Sequence, residues 1–340
     1  MQSDDQVPSE PAPVLPTSLE PAPKPSGLLA QLDAAGRRYQ RAARSESTWR
    51  AYRSDWADFV QWCSAHGAAP VPAAPETVAY YLTHLAETGL RVSTIRRRLA
   101  SISVVHQTSG HTSPTRDRLV RDQMAGIARS AGVAQEVATP ALTEDVRSMV
   151  AAMDRSPHGL RDRALILVGF AAALRRSEIA ALDVADIRKV TEGVEVCIRR
   201  SKTDQIGAGE IVPVPYGSHH ATCPVRALDE WMLALDERPS NGPSPALFRS
   251  ISRDGWLLDR MSGQAVGEVV ARAAKRAGLD PKGQWTGHSL RAGLATSAAK
   301  AGVPDRVIMA TTRHRSRTTL DRYVRSGTRW EQVAAASVGL

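Results

Sequence analysis

The chain has 340 residues, 42% of them hydrophobic and 5% aromatic, with a formal net charge of +9. That length suggests two domains, and the charge favours a polyanionic partner, nucleic acid before membrane. Cys63, Cys197 and Cys223 are scattered, odd in number and without C-x-x-C spacing, which excludes a disulfide framework.

The longest apolar run, residues 164–174, is too short to span a bilayer, and no basic-then-apolar signal opens the chain. A cytoplasmic protein with no membrane partner is expected. Six of the 44 basic residues are lysines, so a lysine in a special place is informative. His219, His220 and Cys223 lie close together but lack a fourth ligand, so no metal is expected there.

Residues 1–35 begin with alternating proline, serine, alanine and acids and read as a disordered tail. Helical periodicity dominates residues 36–133. A first helix from Ser47 carries Tyr52, Trp56, Phe59, Val60 and Cys63 on one face, with Gly67 after it. A second starts near Pro75 and Glu76, buries Val78, Tyr81, Leu82 and Leu85, and ends around Gly89. Ser93 is expected to cap a third with Ile95, Leu99 and Ile102 inside. A fourth runs from about Thr115 with Leu119, Val120, Met124 and Ile127. Arg96, Arg97 and Arg98 on the third helix, and Arg50 and Arg53 on the first, form either a solvated charged face or a DNA contact.

Residues 134–141 have no apolar face, contain a proline, and read as a linker to a second domain at 142–340. Thr143, Glu144 and Asp145 start a helix there. Residues 160–182 form a buried helix that breaks and restarts at Arg175 and Arg176. Val194, Val196 and Ile198 alternate, as do Val212 and Val214 beyond Gly207 and Gly209, which predicts a β-hairpin with Lys202 near its tip. Helices follow from Cys223, after a Ser262 cap, and from Ser289 to Gly302. Gln264, at the start of one of them, could read adenine, although a plain N-cap explains its neighbour Ser262 equally well. The fold class expected is mainly α: a two-domain clamp whose second, mixed domain carries a small antiparallel β-sheet.

The stretch from Trp285 to Tyr323 is the richest in chemistry. It reads W-T-G-H-S-L-R-A-G and later T-T-R-H-R-S-R-T-T-L-D-R-Y. H-x-x-R alone carries nothing, since about one match is expected by chance from composition and the chain has three, at His158/Arg161, His288/Arg291 and His314/Arg317. The middle one opens a helix, where unpaired backbone N–H groups favour an anion. Upstream, A-L-R-R-S-E-I-A-A-L places Arg175 after a buried helix, with Glu178 three residues on to hold it.

Five elements then fall in one order: A-L-R-x-S-E, a hairpin lysine, G-H-S-L-R, a histidine, and a tyrosine nine residues later. That order resembles the tyrosine recombinase (phage integrase) family, with a two-domain layout similar to Cre-like members; W-A-D-F-V-Q-W-C and G-L-R-V-S-T-I add to the likeness. The resemblance implies a helical core-binding domain at 36–133 and a catalytic domain at 142–340 ending in an exchange helix. It implies that Arg175 and Arg291 clamp the scissile phosphate and that His288 shares protons with nucleophile or phosphate. His314 would donate to a non-bridging oxygen, Lys202 would protonate the leaving 5′-hydroxyl, and Tyr323 would attack to give a 3′-phosphotyrosine. Glu178 is implied as a brace. Where the family often has glycine before the His314 position, this chain has Arg313.

The chemistry is coherent on its own terms. A phenol is a poor nucleophile at neutral pH without a base or nearby positive charge, and arginine forks stabilise the growing negative charge on phosphorus. No P-loop, acidic metal cluster or phosphate-cradling glycine loop is visible, so no cofactor is expected. The expected partner is duplex DNA with inverted half-sites, bound by four protomers on two duplexes. Trp330, Val333, Ala334 and Val338 give the C-terminus an apolar face that packs locally or on a neighbouring protomer. Two other readings stay open: a monomeric type IB topoisomerase, and a DNA-binding regulator with a dead site.

Overall fold

The computed structural model describes residues 27–131, 138–199 and 209–323, apart from 315, 319 and 322. Two compact units divide at residue 135, and each is described by itself.

The first unit is all helical: α1 (Leu28–Ala42), α2 (Glu46–Ala65), α3 (Pro75–Glu87), α4 (Val92–Thr108) and α5 (Arg118–Ser130). Apolar residues spaced three and four apart turn one face of each of α2 to α5 inward. Phe59, Val78, Tyr81, Leu82, Ile95 and Ile102 are fully buried in a shared core, with the Phe59 and Tyr81 rings 4.9 Å apart. Ser45 caps α2 by accepting from the Thr48 amide, and Asp117 caps α5 by accepting from Leu119.

Four local expectations are corrected. The disordered tail expected through residue 35 gives way to helix at Leu28, because residues 28–42 contain no proline and many good helix formers. The third helix begins at Val92, so Ser93 is inside it rather than its cap. Thr115 lies in a short 3-10 turn, and the helix expected from it begins three residues later, after the Asp117 cap. Leu119 is 43% exposed, because it sits one position off the Val120, Met124 and Ile127 stripe.

The second unit contains α6 (Thr143–Ala151), α7 (Pro157–Ala171), α8 (Arg176–Ala181), β1 (Ile187–Val190), β2 (Gly193–Ile198), β3 (Glu210–Pro215) and α9 (Pro224–Asp236). It continues with β4 (Arg249–Ile251), β5 (Leu257–Arg260), α10 (Gly263–Arg276), α11 (Gly287–Lys300) and α12 (Asp305–Thr312). Helix α7 is its axis: Leu165, Ile166 and Val168 are buried on different sides, and it packs against α9, α11 and α10. Its second half, residues 164–171, is apolar all round, which is what such a central position requires. The expected hairpin is present as β2 and β3, with Val194 opposite Val214 and Val196 opposite Val212, and β1 adds a third antiparallel strand. The β4–β5 ribbon was not legible in advance, because its strands are too short for an alternation to register. Lys202 and the C-terminal face from Trp330 to Val338 lie outside the described residues. No described helix is long and apolar enough to cross a membrane.

Helix α11 is held to the start of the unit by a close backbone approach. A β-carbon at Gly293 would lie 1.7 Å from the Ala141 carbonyl oxygen, while the Ala141 amide donates to the Ser289 carbonyl at 2.9 Å. Gly293→Ala is therefore expected to lower stability by about 1–3 kcal/mol, the usual cost of overpacking. Gly126→Ala, in helix α5 with nothing within 4 Å of the new methyl group, is expected to be neutral or slightly stabilising. Denaturant unfolding of the two variants checks the contrast.

Candidate active site

Three pieces of backbone build the site: the N-terminus of α11, the turn between α7 and α8, and the segment after α12. At the first, Thr286 caps α11 by accepting from the His288 amide, and Ser289 Oγ accepts from the Thr286 amide. Gly287 is required because a side chain there would run into Arg176 Cβ, 2.7 Å away. His288 and Arg291 project one turn apart on α11. Arg291 is 1% exposed; its Nη1 donates to the Ala173 carbonyl at 2.8 Å, and its Nη2 is buried without a hydrogen-bond partner among the described residues.

The second piece ends α7 with Ala173 in the left-handed region, φ +48. Arg175 then caps α8; its amide donates to Glu178 Oε2 at 2.9 Å and its guanidinium to Glu178 Oε1 at 2.5 Å. Glu178 thus holds Arg175 as the spacing predicts, and it does so from a buried position, 3% exposed.

The third piece supplies what the sequence reading did not assign. Arg313 ends α12 with φ +56, the conformation that glycine takes most easily. Its side chain turns inward, 6% exposed, and donates to Glu178 Oε2 at 2.7 Å, to the Ala172 carbonyl at 3.0 Å and to the Ala173 carbonyl at 3.3 Å. Its Nε lies 3.6 Å from Glu210. Arg313 therefore ties the His314 segment to the turn that carries Arg175. The sequence signal was an arginine at a position that favours glycine, which only a compensating interaction makes tolerable.

These pieces bring His288, Arg291, His314 and Tyr323 together. Tyr323 is 9% exposed in helical backbone and packs with Ala292, Ala295, Ile308 and Leu320. Its hydroxyl is 2.7 Å from His288 Nε2, and the His314 ring stacks on it at 5.6 Å and 21°. His288 keeps an edge open to solvent, yet loss of surrounding water, and then the Arg291 and Arg175 charges, pull its imidazole below the usual histidine range. Burial, and then the same two arginines, push His314 down to about 4. Both rings are neutral at pH 7. Burial also lowers Arg291, reinforced by Arg175 and Arg313. Three guanidiniums thus face one buried carboxylate, Glu178, with Glu210 at the margin, and an anion is the missing counter-charge.

The candidate DNA contacts divide. Arg50 and Arg96 are exposed, and Arg96 lines a concavity with Arg44, Tyr52, Ser103 and Gln107. Arg53 pairs with Glu46 at 2.9 Å, and Gln264 donates to Glu268 at 3.0 Å on an exposed turn. Arg97 meets Asp55 through two nitrogens, each 3.0 Å from a carboxylate oxygen, with its side chain 48% exposed. Arg98 does not join Arg96 on the open face: its side chain is 18% exposed, paired with Asp58 and bonded to Tyr81 Oη at 2.9 Å. The helical turn rotates it toward α2 and α3, where two carboxylates receive it.

The chain matches the phage integrase family over residues 141–329, and an N-terminal SAM-like domain of phage integrases over residues 39–109. The first match covers every residue of the site. The chain belongs to the phage integrase family. It is a site-specific tyrosine recombinase, and the topoisomerase and dead-regulator readings are not favoured. An integrase/recombinase XerD homologue of Selenomonas ruminantium is 36% identical over 302 residues, 87% of this chain and 86% of that one. The Cre recombinase of Escherichia phage P1 is 29% identical over 281 residues, covering 77% and 79%. Among solved structures, XerH recombinase on a palindromic difH substrate aligns with TM-score 0.58 at 19% identity over 77% of this chain and 72% of that one. A lambda integrase dimer on a COC′ core site aligns with TM-score 0.56 at 17% identity, covering 90% and 79%. These two likenesses speak for the fold.

Arg313 offers a stability test within this integrase fold. Arg313→Met removes the Glu178 pair and keeps the left-handed backbone strain, whereas Arg313→Gly removes both. Arg313→Gly is expected to be the more stable variant by about 1 kcal/mol. Both should be less stable than wild type, by less than the about 3–5 kcal/mol of a fully severed buried pair, because Glu178 keeps Arg175. Denaturant midpoints at constant slope measure the order.

Proposed function

We propose that Tyr323 cleaves one strand of duplex DNA at a specific site, forms a 3′-phosphotyrosine, and rejoins strands by the reverse attack of a 5′-hydroxyl. The contact that carries this reading is Tyr323 Oη at 2.7 Å from a neutral imidazole, beside the buried Nη2 of Arg291, which has no hydrogen-bond partner among the described residues. His288 Nε2 takes the phenol proton as the tyrosine oxygen bonds to phosphorus. Arg291 and Arg175 hold the non-bridging oxygens and stabilise the charge that grows on them. His314 donates to the same phosphate, and Lys202 gives a proton to the departing 5′-oxygen. The phosphotyrosine conserves the energy of the broken ester, so rejoining needs no nucleotide.

The net charge of +9 and the exposed Arg50 and Arg96 support DNA contact by the first unit, with Arg97 there and Gln264 of the second unit as further contacts. Relatives named as recombinases, and neighbours solved on a core site and on a palindromic substrate, support inverted half-sites as the target. Residues 36–133 form the core-binding domain, 134–141 the linker and 142–340 the catalytic domain. Four protomers act on two sites in the cytoplasm, coupled through the exchange helix at the C-terminus.

Tyr323→Phe is expected to abolish the covalent protein–DNA adduct on a nicked substrate, read on denaturing gels, while DNA affinity stays within about twofold, because one hydroxyl contributes little to a charge-driven interface. Arg291→Ala should slow cleavage by about 10²–10³-fold, the loss typical of one oxyanion-stabilising donor. With pH the sign follows from His288: its lowered pKa in the free protein keeps it a base at neutral pH, so cleavage at sub-saturating DNA, which reports the free enzyme, falls on acidification only below the ordinary histidine range. An acid limb above that range contradicts His288 as the base.

A further inference from the structure

The hydroxyl of Thr312 is buried, and it makes two contacts that together fix a proton. Thr312 Oγ1 donates to the Ile308 carbonyl at 2.6 Å, one helical turn back, and lies 2.8 Å from His314 Nδ1. A hydroxyl has one proton and two lone pairs. The carbonyl of Ile308 can only accept, so the threonine proton is spent on it, and the bond to His314 must run the other way, from Nδ1–H to Oγ1. In a neutral imidazole only one nitrogen is protonated, which leaves Nε2 of His314 a bare acceptor. An acceptor cannot donate to a phosphate oxygen.

We propose that Thr312 is a positioning residue that locks His314 as the Nδ1–H tautomer, so that His314 becomes a donor to the phosphate only by taking up a proton when DNA binds. The inference rests on the reading of His314 as a phosphate-facing group. The proton comes from solvent or buffer, adds to Nε2, and converts the ring to an imidazolium with donors on both nitrogens; no other bond changes. The groups that face His314 explain why uptake waits for substrate. Arg291 and His288 face it from α11, Arg175 from the α7–α8 turn, Arg313 from its own segment, and the Tyr323 ring stacks on it. Glu178 is already engaged by Arg175 and Arg313. Without substrate these charges hold His314 down at about 4, and a bound phosphate supplies the negative charge that raises it.

The free wild-type protein gives the first test. Long-range proton–nitrogen NMR spectra of isotope-labelled histidine, with His314 identified by its loss in His314→Gln, should show the Nδ1-protonated pattern; an Nε2-protonated pattern overturns the proposal. The second test is single-turnover cleavage of nicked DNA across neutral and alkaline pH. The wild-type rate should fall at high pH with unit slope, about tenfold per pH unit, as His314 loses its proton in the complex. Thr312→Val frees Nδ1, lets the neutral ring carry its proton on Nε2, and should flatten that limb, whereas Thr312→Ser should restore it. An unchanged limb in Thr312→Val overturns the lock. Wild-type cleavage by His314→Gln at every pH would instead remove the phosphate-facing role of His314 on which the lock depends.

Discussion

The site depends on one shared carboxylate. Glu178 is buried in the first turn of α8 and takes Arg175 on one oxygen and Arg313 on the other, each from a different part of the chain. Removing a carboxylate and two guanidiniums from water is costly, and the arrangement is tolerable because its donors find further acceptors. Arg313 also reaches the carbonyls of Ala172 and Ala173, and Arg291 reaches Ala173 from α11. The short turn between α7 and α8 is thereby grasped from both sides. The relative positions of Arg175, Arg291 and Arg313 are fixed by this clasp.

Two residues within the clasp adopt left-handed backbone without being glycine. Ala173 and Arg313 have φ of +48 and +56, and each such residue costs about 1–2 kcal/mol. The carbonyl that the Ala173 conformation exposes accepts two arginines, and the Arg313 conformation aims its side chain at Glu178. Strain is thus located where it orients the arginines gathered around Glu178, and the buried ion pair over-determines it.

Much of this was legible in the sequence, and the limits have physical causes. The periodicity of α2 to α5 and the alternation of β2 and β3 are local signals, and both survive folding. The pairing of Glu178 with Arg175 is also local, set by a three-residue spacing at a helix start. Arg313 was visible only as an oddity, because its partners are more than a hundred positions away and no spacing rule reaches that far. The three adjacent arginines of α4 read alike in sequence, yet a 3.6-residue turn sends Arg98 inward to Asp58 and Tyr81 while Arg96 stays outside. The tautomer of His314 lies at the same limit: it follows from a hydroxyl two residues earlier, but only once the carbonyl of Ile308 is known to claim that hydroxyl's proton.

The excess of guanidinium over carboxylate around Tyr323 has a thermodynamic meaning. Arg175, Arg291 and Arg313 repel one another in a partly dry interior, and burial first, then that repulsion, lowers the affinity of Arg291 for its own proton. A ligand that binds only the native arrangement adds its binding free energy to folding. On the proposed reading the substrate phosphate is also a structural counterion, and occupancy of the site and integrity of the second unit are two readings of one linked equilibrium.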